Sequence, residues 1–108
     1  MSNPQIDNEG NKYWYLNGKF HREDGPSVEY IDGTKYWHIE GKLHRIDGHA
    51  IENIIGDKLW YIEHKLHRMD GPAIEYSNGD KYWFYHGEQI LCSSTEEFVR
   101  IIKLKAFW

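Results

Sequence analysis

The amino-acid sequence predicts a mostly β fold: an antiparallel β-meander built from hairpin units of 23 residues, with one C-terminal α-helix. Three observations predict it. Trp14, Trp37, Trp60 and Trp83 recur at a step of 23 residues. His21, His44 and His67 keep that step, as do Arg22, Arg45 and Arg68, then Asp24, Asp47 and Asp70, and the glycines Gly10, Gly33, Gly56 and Gly79. Coincident series at one period mark a repeat array, in which each unit completes its core against its neighbours. The segments KYWYL, KYWHI, KLWYI and KYWFY are short and aromatic, with no helical spacing. Turn dipeptides separate these runs: Asn17-Gly18, Asp32-Gly33, Asn78-Gly79, and the Asp-Gly-Pro of Asp24–Pro26 and Asp70–Pro72. Such residues supply the positive φ of tight hairpins.

The 108 residues read as a single domain, with four hairpin repeats over 11–91 and a capping helix over 94–106. Each unit opens with its aromatic strand, turns, and passes through His-Arg-x-Asp-Gly. It then enters a second strand, SVEY or AIEY, whose alternation is that of a half-buried strand. Seven to nine short strands are expected. Ser94-Thr95-Glu96-Glu97 has capping-box spacing and precedes Phe98, Val99, Ile101, Ile102 and Leu104. A helix from Thr95 to about Lys105 follows, with Phe107 and Trp108 trailing.

Composition excludes several classes. The net charge of −4 disfavours indiscriminate attraction to nucleic acid or anionic lipid. No apolar run approaches bilayer length. The opening MSNPQIDNEG lacks the regions of an export signal, and Cys92 is the only cysteine, so the expected setting is cytoplasmic. No nucleophile elbow, P-loop or glycine-rich phosphate cradle is present, and the chain reads as no enzyme. The seven histidines lack metal-site spacing. Those at the 23-residue step fall about 10 Å apart at two strands per unit, too far to share an ion, so neither metal nor cofactor is expected.

The stretch NGKFHREDGPSVEYIDGTKYW resembles a divergent MORN repeat, whose 23-residue unit has an N-G-K turn, a short strand, a D-G turn and an aromatic strand. The resemblance covers about Asn11 to Gln89. The His-Arg-x-Asp-Gly-Pro version is similar to repeat proteins of bacteriophages and large DNA viruses. This resemblance implies a single-layer, slightly curved sheet, a role in binding rather than catalysis, and the host cytoplasm as location. Arg-x-Asp-Gly-Pro stands after the histidine where the standard unit has glycine, so membrane partners do not carry over.

Two readings of His-Arg-x-Asp-Gly compete. In one, each arginine pairs with an aspartate or a nearby carbonyl and locks a connection. In the other, the basic row binds anions. The fourth unit has Ile90 and Leu91 at the matching positions, so the motif disappears where no further unit follows, which favours the structural joint. Alternation places Trp14, Trp37, Trp60 and Trp83 on one face, where they are expected to stack as a dry spine. Tyr15, His38, Tyr61 and Phe84 lie on the other, expected to stay partly open. The third unit departs most, with His49 for Pro, Asn53 for Tyr, Ile55 for Asp or Asn, and His64 at a glycine position, which predicts a changed turn.

Two classes of partner follow. The first is a small anionic, nucleotide-like immune signal sequestered by a phage-type protein. It would stack on the tyrosine face, with Arg22, Arg45 and Arg68, or Lys35 and Lys58, near its phosphates and His64 adding specificity. The second is a host or viral protein gripped by the same face. Self-association through Phe98, Ile102, Phe107 and Trp108 is compatible with both. Duplex nucleic acid and membranes are not expected partners.

Overall fold

The computed structural model describes residues 3–105. The strands, in chain order, are β1 Gln5–Ile6, β2 Lys12–Tyr13, β3 Tyr15–Leu16, β4 Lys19–Phe20, β5 Val28–Glu29, β6 Lys35–Tyr36, β7 His38–Ile39 and β8 Lys42–Leu43. Then come β9 Ile51–Glu52, β10 Lys58–Leu59, β11 Tyr61–Ile62, β12 Lys65–Leu66, β13 Ile74–Glu75, β14 Lys81–Tyr85 and β15 Glu88–Ile90, followed by α1 Thr95–Lys105. A nine-stranded antiparallel sheet runs β1-β2-β5-β6-β9-β10-β13-β14-β15, and β3-β4, β7-β8 and β11-β12 form small side hairpins. The fold is therefore mostly β with one C-terminal helix, spread over 48 × 31 × 17 Å.

Among the described residues the strand number exceeds the expected seven to nine because each of the first three aromatic strands breaks at its tryptophan and feeds a side hairpin of two strands outside the nine-stranded sheet. The Trp14 N–H donates to the Ser27 carbonyl, and the Trp14 carbonyl accepts from the His21 N–H. Trp37 and Trp60 repeat both bonds with Ala50 and His44, and with Ala73 and His67. The chain thus leaves the central sheet at each tryptophan and enters a side hairpin. The fourth unit makes the same hairpin, β14 with β15, but without the break, and β14 runs through Trp83 for five residues.

Register is set by two rows that cross the central sheet. One is apolar: Tyr13, Val28, Tyr36, Ile51, Leu59, Ile74 and Tyr82 pair in succession. The other alternates in charge, Lys12, Glu29, Lys35, Glu52, Lys58, Glu75 and Lys81. A slip of one residue would set charged groups against the apolar row, so the pairing is specified at every strand.

Ser27, Ala50 and Ala73 are fully buried at equivalent places beneath the tryptophan bends. Only a small side chain fits there. Ala73→Leu is expected to cost about 1–3 kcal/mol by overpacking; an unchanged urea midpoint would show that the site has room.

Ser94 caps α1, its Oγ accepting the Glu97 N–H at 3.1 Å. Phe98 and Ile102 pack with Trp83 and Ile90 into a buried cluster. These two residues are therefore spent inside the chain rather than available for self-association, and Phe107 and Trp108 lie outside the described residues. No helix among the described residues is long and apolar enough to cross a membrane.

Candidate functional site

The His-Arg-x-Asp-Gly loops lie on the tryptophan face, and each arginine is engaged within its own unit. Arg68 Nε donates to Asp70 at 3.0 Å, and its Nη1 donates to the Pro72 carbonyl at 3.1 Å and to Glu75 at 2.8 Å. Its guanidinium carbon stands 3.9 Å from the centre of the Trp60 ring. Arg22 repeats this with Asp24, Pro26, Glu29 and Trp14. The bond from Arg22 holds the Asp24 carboxyl below its ordinary pKa. A planar fork on an aromatic ring with a carboxylate at its edge is geometry that lysine could not reproduce.

The motif glycine serves this arrangement rather than a left-handed turn. Gly25, Gly48 and Gly71 are not among the residues with positive φ. A Cβ at Gly71 would meet the Arg68 guanidinium carbon at 2.7 Å. The glycine is what allows the arginine to lie flat, which corrects the turn role expected for it.

The middle unit differs. Arg45 contacts Asp47, the His49 carbonyl and the Trp37 ring, but Glu52 accepts from His49 Nε2 at 2.6 Å instead. That bond lowers the Glu52 pKa. The His49 ring meets Trp37 and Trp60 edge-on, with centroids 5.8 and 5.5 Å away. The tryptophans thus do not form the expected dry spine. Trp14, Trp37 and Trp60 are each covered by an arginine, Trp37 and Trp60 stay half-buried, and the contact between those two runs through His49.

At the last tryptophan the helix replaces the guanidinium. Trp83 lies against Phe98 and Ile102, and its indole N–H donates to Thr95 Oγ1 at 3.1 Å. Leu91, in the arginine's place, is 84% exposed.

Open grooves repeat with the unit, one beside the first loop and two between successive loops. The first is lined by Pro4, Trp14, Leu16 and His21, the second by Trp37, Ile39, His44 and Ile46, the third by Trp60, Ile62, His67 and Met69. Their volumes are about 660, 430 and 690 Å³. Ile46 and Met69, the variable residues of the motif, stand 84% and 53% exposed on the crests between grooves.

The opposite face carries the tyrosines. Tyr15 stacks on Phe20 at 5.0 Å, and Phe20 meets His38 at 5.1 Å. His38 Nδ1 is 2.7 Å from Ser27 Oγ, and burial lowers its pKa. Phe20 was not foreseen, because the matching positions hold Leu43 and Leu66. Tyr61 lies apart from this cluster beside His64, with burial raising its pKa, and Phe84 is half-buried on β14.

The residues expected to form one ligand site are therefore divided. Arg22, Arg45 and Arg68 lie with the tryptophans, away from Tyr15, His38, Tyr61 and Phe84. Lys35 and Lys58 belong to the charge-alternating row on the arginine side, each paired between two glutamates. The physical reason is strand alternation: Lys35 precedes Tyr36 and so points the other way. His64 also departs from expectation. The turn is unchanged, with Glu63 at φ 52° and His64 at 67°, matching Glu40 and Gly41 at 51° and 81°. A φ of 67° falls in the left-handed well that histidine tolerates, and His64 Nδ1 gains the Leu43 N–H at 3.2 Å.

Among the described residues no group of three His, Cys, Asp or Glu side chains is placed to hold a metal ion. No protein-family model matches the chain, and comparison with curated proteins and with solved structures finds no match.

Proposed function

We propose that the chain is a non-enzymatic binding protein that takes a protein partner across the grooves of its tryptophan face. The observation that carries this reading is the pair of exposed crests, Ile46 and Met69, flanking grooves in which Trp37 and Ile39, or Trp60 and Ile62, stand beside the charged loop residues. Exposed apolar surface arranged in this way marks an interaction site. Successive grooves are about 10 Å apart at two strands per unit. Three residues of polyproline II chain advance about 9 Å and bring the side chain back to the same side, so a partner segment in that conformation with an apolar side chain at every third position would fill them in turn. The resemblance to phage repeats makes a host defence protein the partner class.

A small anionic ligand is the second reading, favoured by the contiguous rings of Tyr15, Phe20 and His38. It is weakened by the arginines, whose carboxylate partners already occupy the fork that a phosphate would use.

The double variant Ile46→Asp, Met69→Asp separates the two. It is expected to melt within a few degrees of the natural protein, because both side chains project into water, yet to release a partner that the natural protein retains in cross-linking from host extract. A rise of several degrees in melting temperature with a nucleotide, in both proteins, would instead establish the small-ligand reading.

A further inference from the structure

The three repeated histidines are all held as hydrogen-bond acceptors. The backbone N–H of Glu40 donates to His21 Nδ1 at 2.9 Å, that of Glu63 to His44 Nδ1 at 3.0 Å, and that of His86 to His67 Nδ1 at 2.8 Å. A backbone N–H can only donate, so each Nδ1 is bare and each neutral ring keeps its hydrogen on Nε2. In His21 that nitrogen faces Glu23 at 4.0 Å, which suits an N–H there. Every donor sits in the hairpin turn of the next unit, so each bond crosses a joint between units. Beside it, the N–H of Arg22, Arg45 or Arg68 donates to the carbonyl of His38, Tyr61 or Phe84 across the same joint. The fourth position, with no following unit, is Ile90, which has no acceptor to offer.

We propose that these joints form a proton-operated latch: imidazolium carries hydrogens on both nitrogens, so acidification turns each accepted bond into two opposed N–H groups and un-docks neighbouring units. The consequence reaches the grooves, since His21, His44 and His67 each line one.

The charged surroundings decide how readily the latch opens. His44 faces Arg22, Glu23 and Asp24 of the preceding loop and Arg45 and Asp47 of its own. Each arginine there is already bonded to its aspartate, which leaves Glu23 as the uncompensated charge. The same Glu23 is the carboxylate beside His21, within a groove shared with Arg22 and Asp24. His67 lies in the groove of the Arg45–Asp47 and Arg68–Asp70 pairs, beside Tyr85 and stacked on His86 at 4.2 Å. Burial, and then the neighbouring His86, hold its pKa below the ordinary value. A folded state that refuses a proton taken up by the unfolded chain binds fewer protons. Its stability is therefore complete above about pH 6.5 and falls as the pH drops below that value.

Two measurements test the latch. Imidazole nitrogen NMR of the natural protein at pH 7.5 is expected to show His21, His44 and His67 with the proton on Nε2; a proton on Nδ1 in any of them would overturn the proposal. Urea unfolding is expected to show the unfolding constant rising as the pH falls below 6.5, by up to about tenfold per pH unit where His67 refuses the proton. In the triple variant His21→Asn, His44→Asn, His67→Asn, an amide oxygen stands at the place of Nδ1 without titrating, and the rise is expected to flatten. A pH dependence equal to that of the natural protein would sink the idea, and the single variant His67→Asn carries the same comparison should the triple variant fail to fold.

Discussion

Phe98→Ala is expected to lower the unfolding free energy by about 3–5 kcal/mol. Phe98 is fully buried, and its ring closes a cluster in which helix and sheet share a core. Elsewhere a tryptophan gains an arginine from its own loop. At Trp83 the matching residue is Leu91, which points into water, so Phe98 and Ile102 cover that ring instead. Truncation leaves a cavity beside the terminal strands, and in a repeat array damage to the cap spreads through neighbour contacts. Urea denaturation checks the magnitude. Hydrogen exchange should show β14 and β15 losing protection before β2 and β5. A loss under 1 kcal/mol would mean that the helix is not the element that closes the array.

Arg68→Ala is expected to cost about 2–3 kcal/mol, and Arg45→Ala about 1 kcal/mol less. Arg68 holds two carboxylates and a carbonyl and lies on the Trp60 ring, and its removal leaves Glu75 half-buried without that partner. Cation–ring contact adds a further increment at such a partly shielded site. Arg45 has one acceptor fewer, because Glu52 is already held by His49. The comparison isolates the glutamate bond. Equal losses in the two variants would show that ring contact and the aspartate bond account for the arginine's whole contribution. A large loss of stability in both, with binding retained, is the outcome the structural joint requires.

Much of this architecture was legible from residue spacing. The 23-residue step, the hairpins, the capped helix from Thr95 and the disappearance of the motif at Ile90 and Leu91 all follow from local pattern, and local pattern is what sets turns, strand alternation and caps. Alternation also sorted Trp14 and Leu16 from Tyr13 and Tyr15. The arginines hold an aspartate and a carbonyl, but within their own unit rather than across a joint between units.

What the sequence alone determined, then, is the repeat and the two faces of its ribbon. The tertiary structure decided which partners each polar group takes, because those choices depend on where the chain bends. The bend at each tryptophan brings the motif arginine back over the indole, and strand pairing brings Glu29 and Glu75 to it from seven residues away. It also sets His21, His44 and His67 under backbone donors nineteen residues on. Spacing repeats identically whether a histidine donates, accepts or faces water; only the position of the next unit's N–H fixes which nitrogen must stay bare.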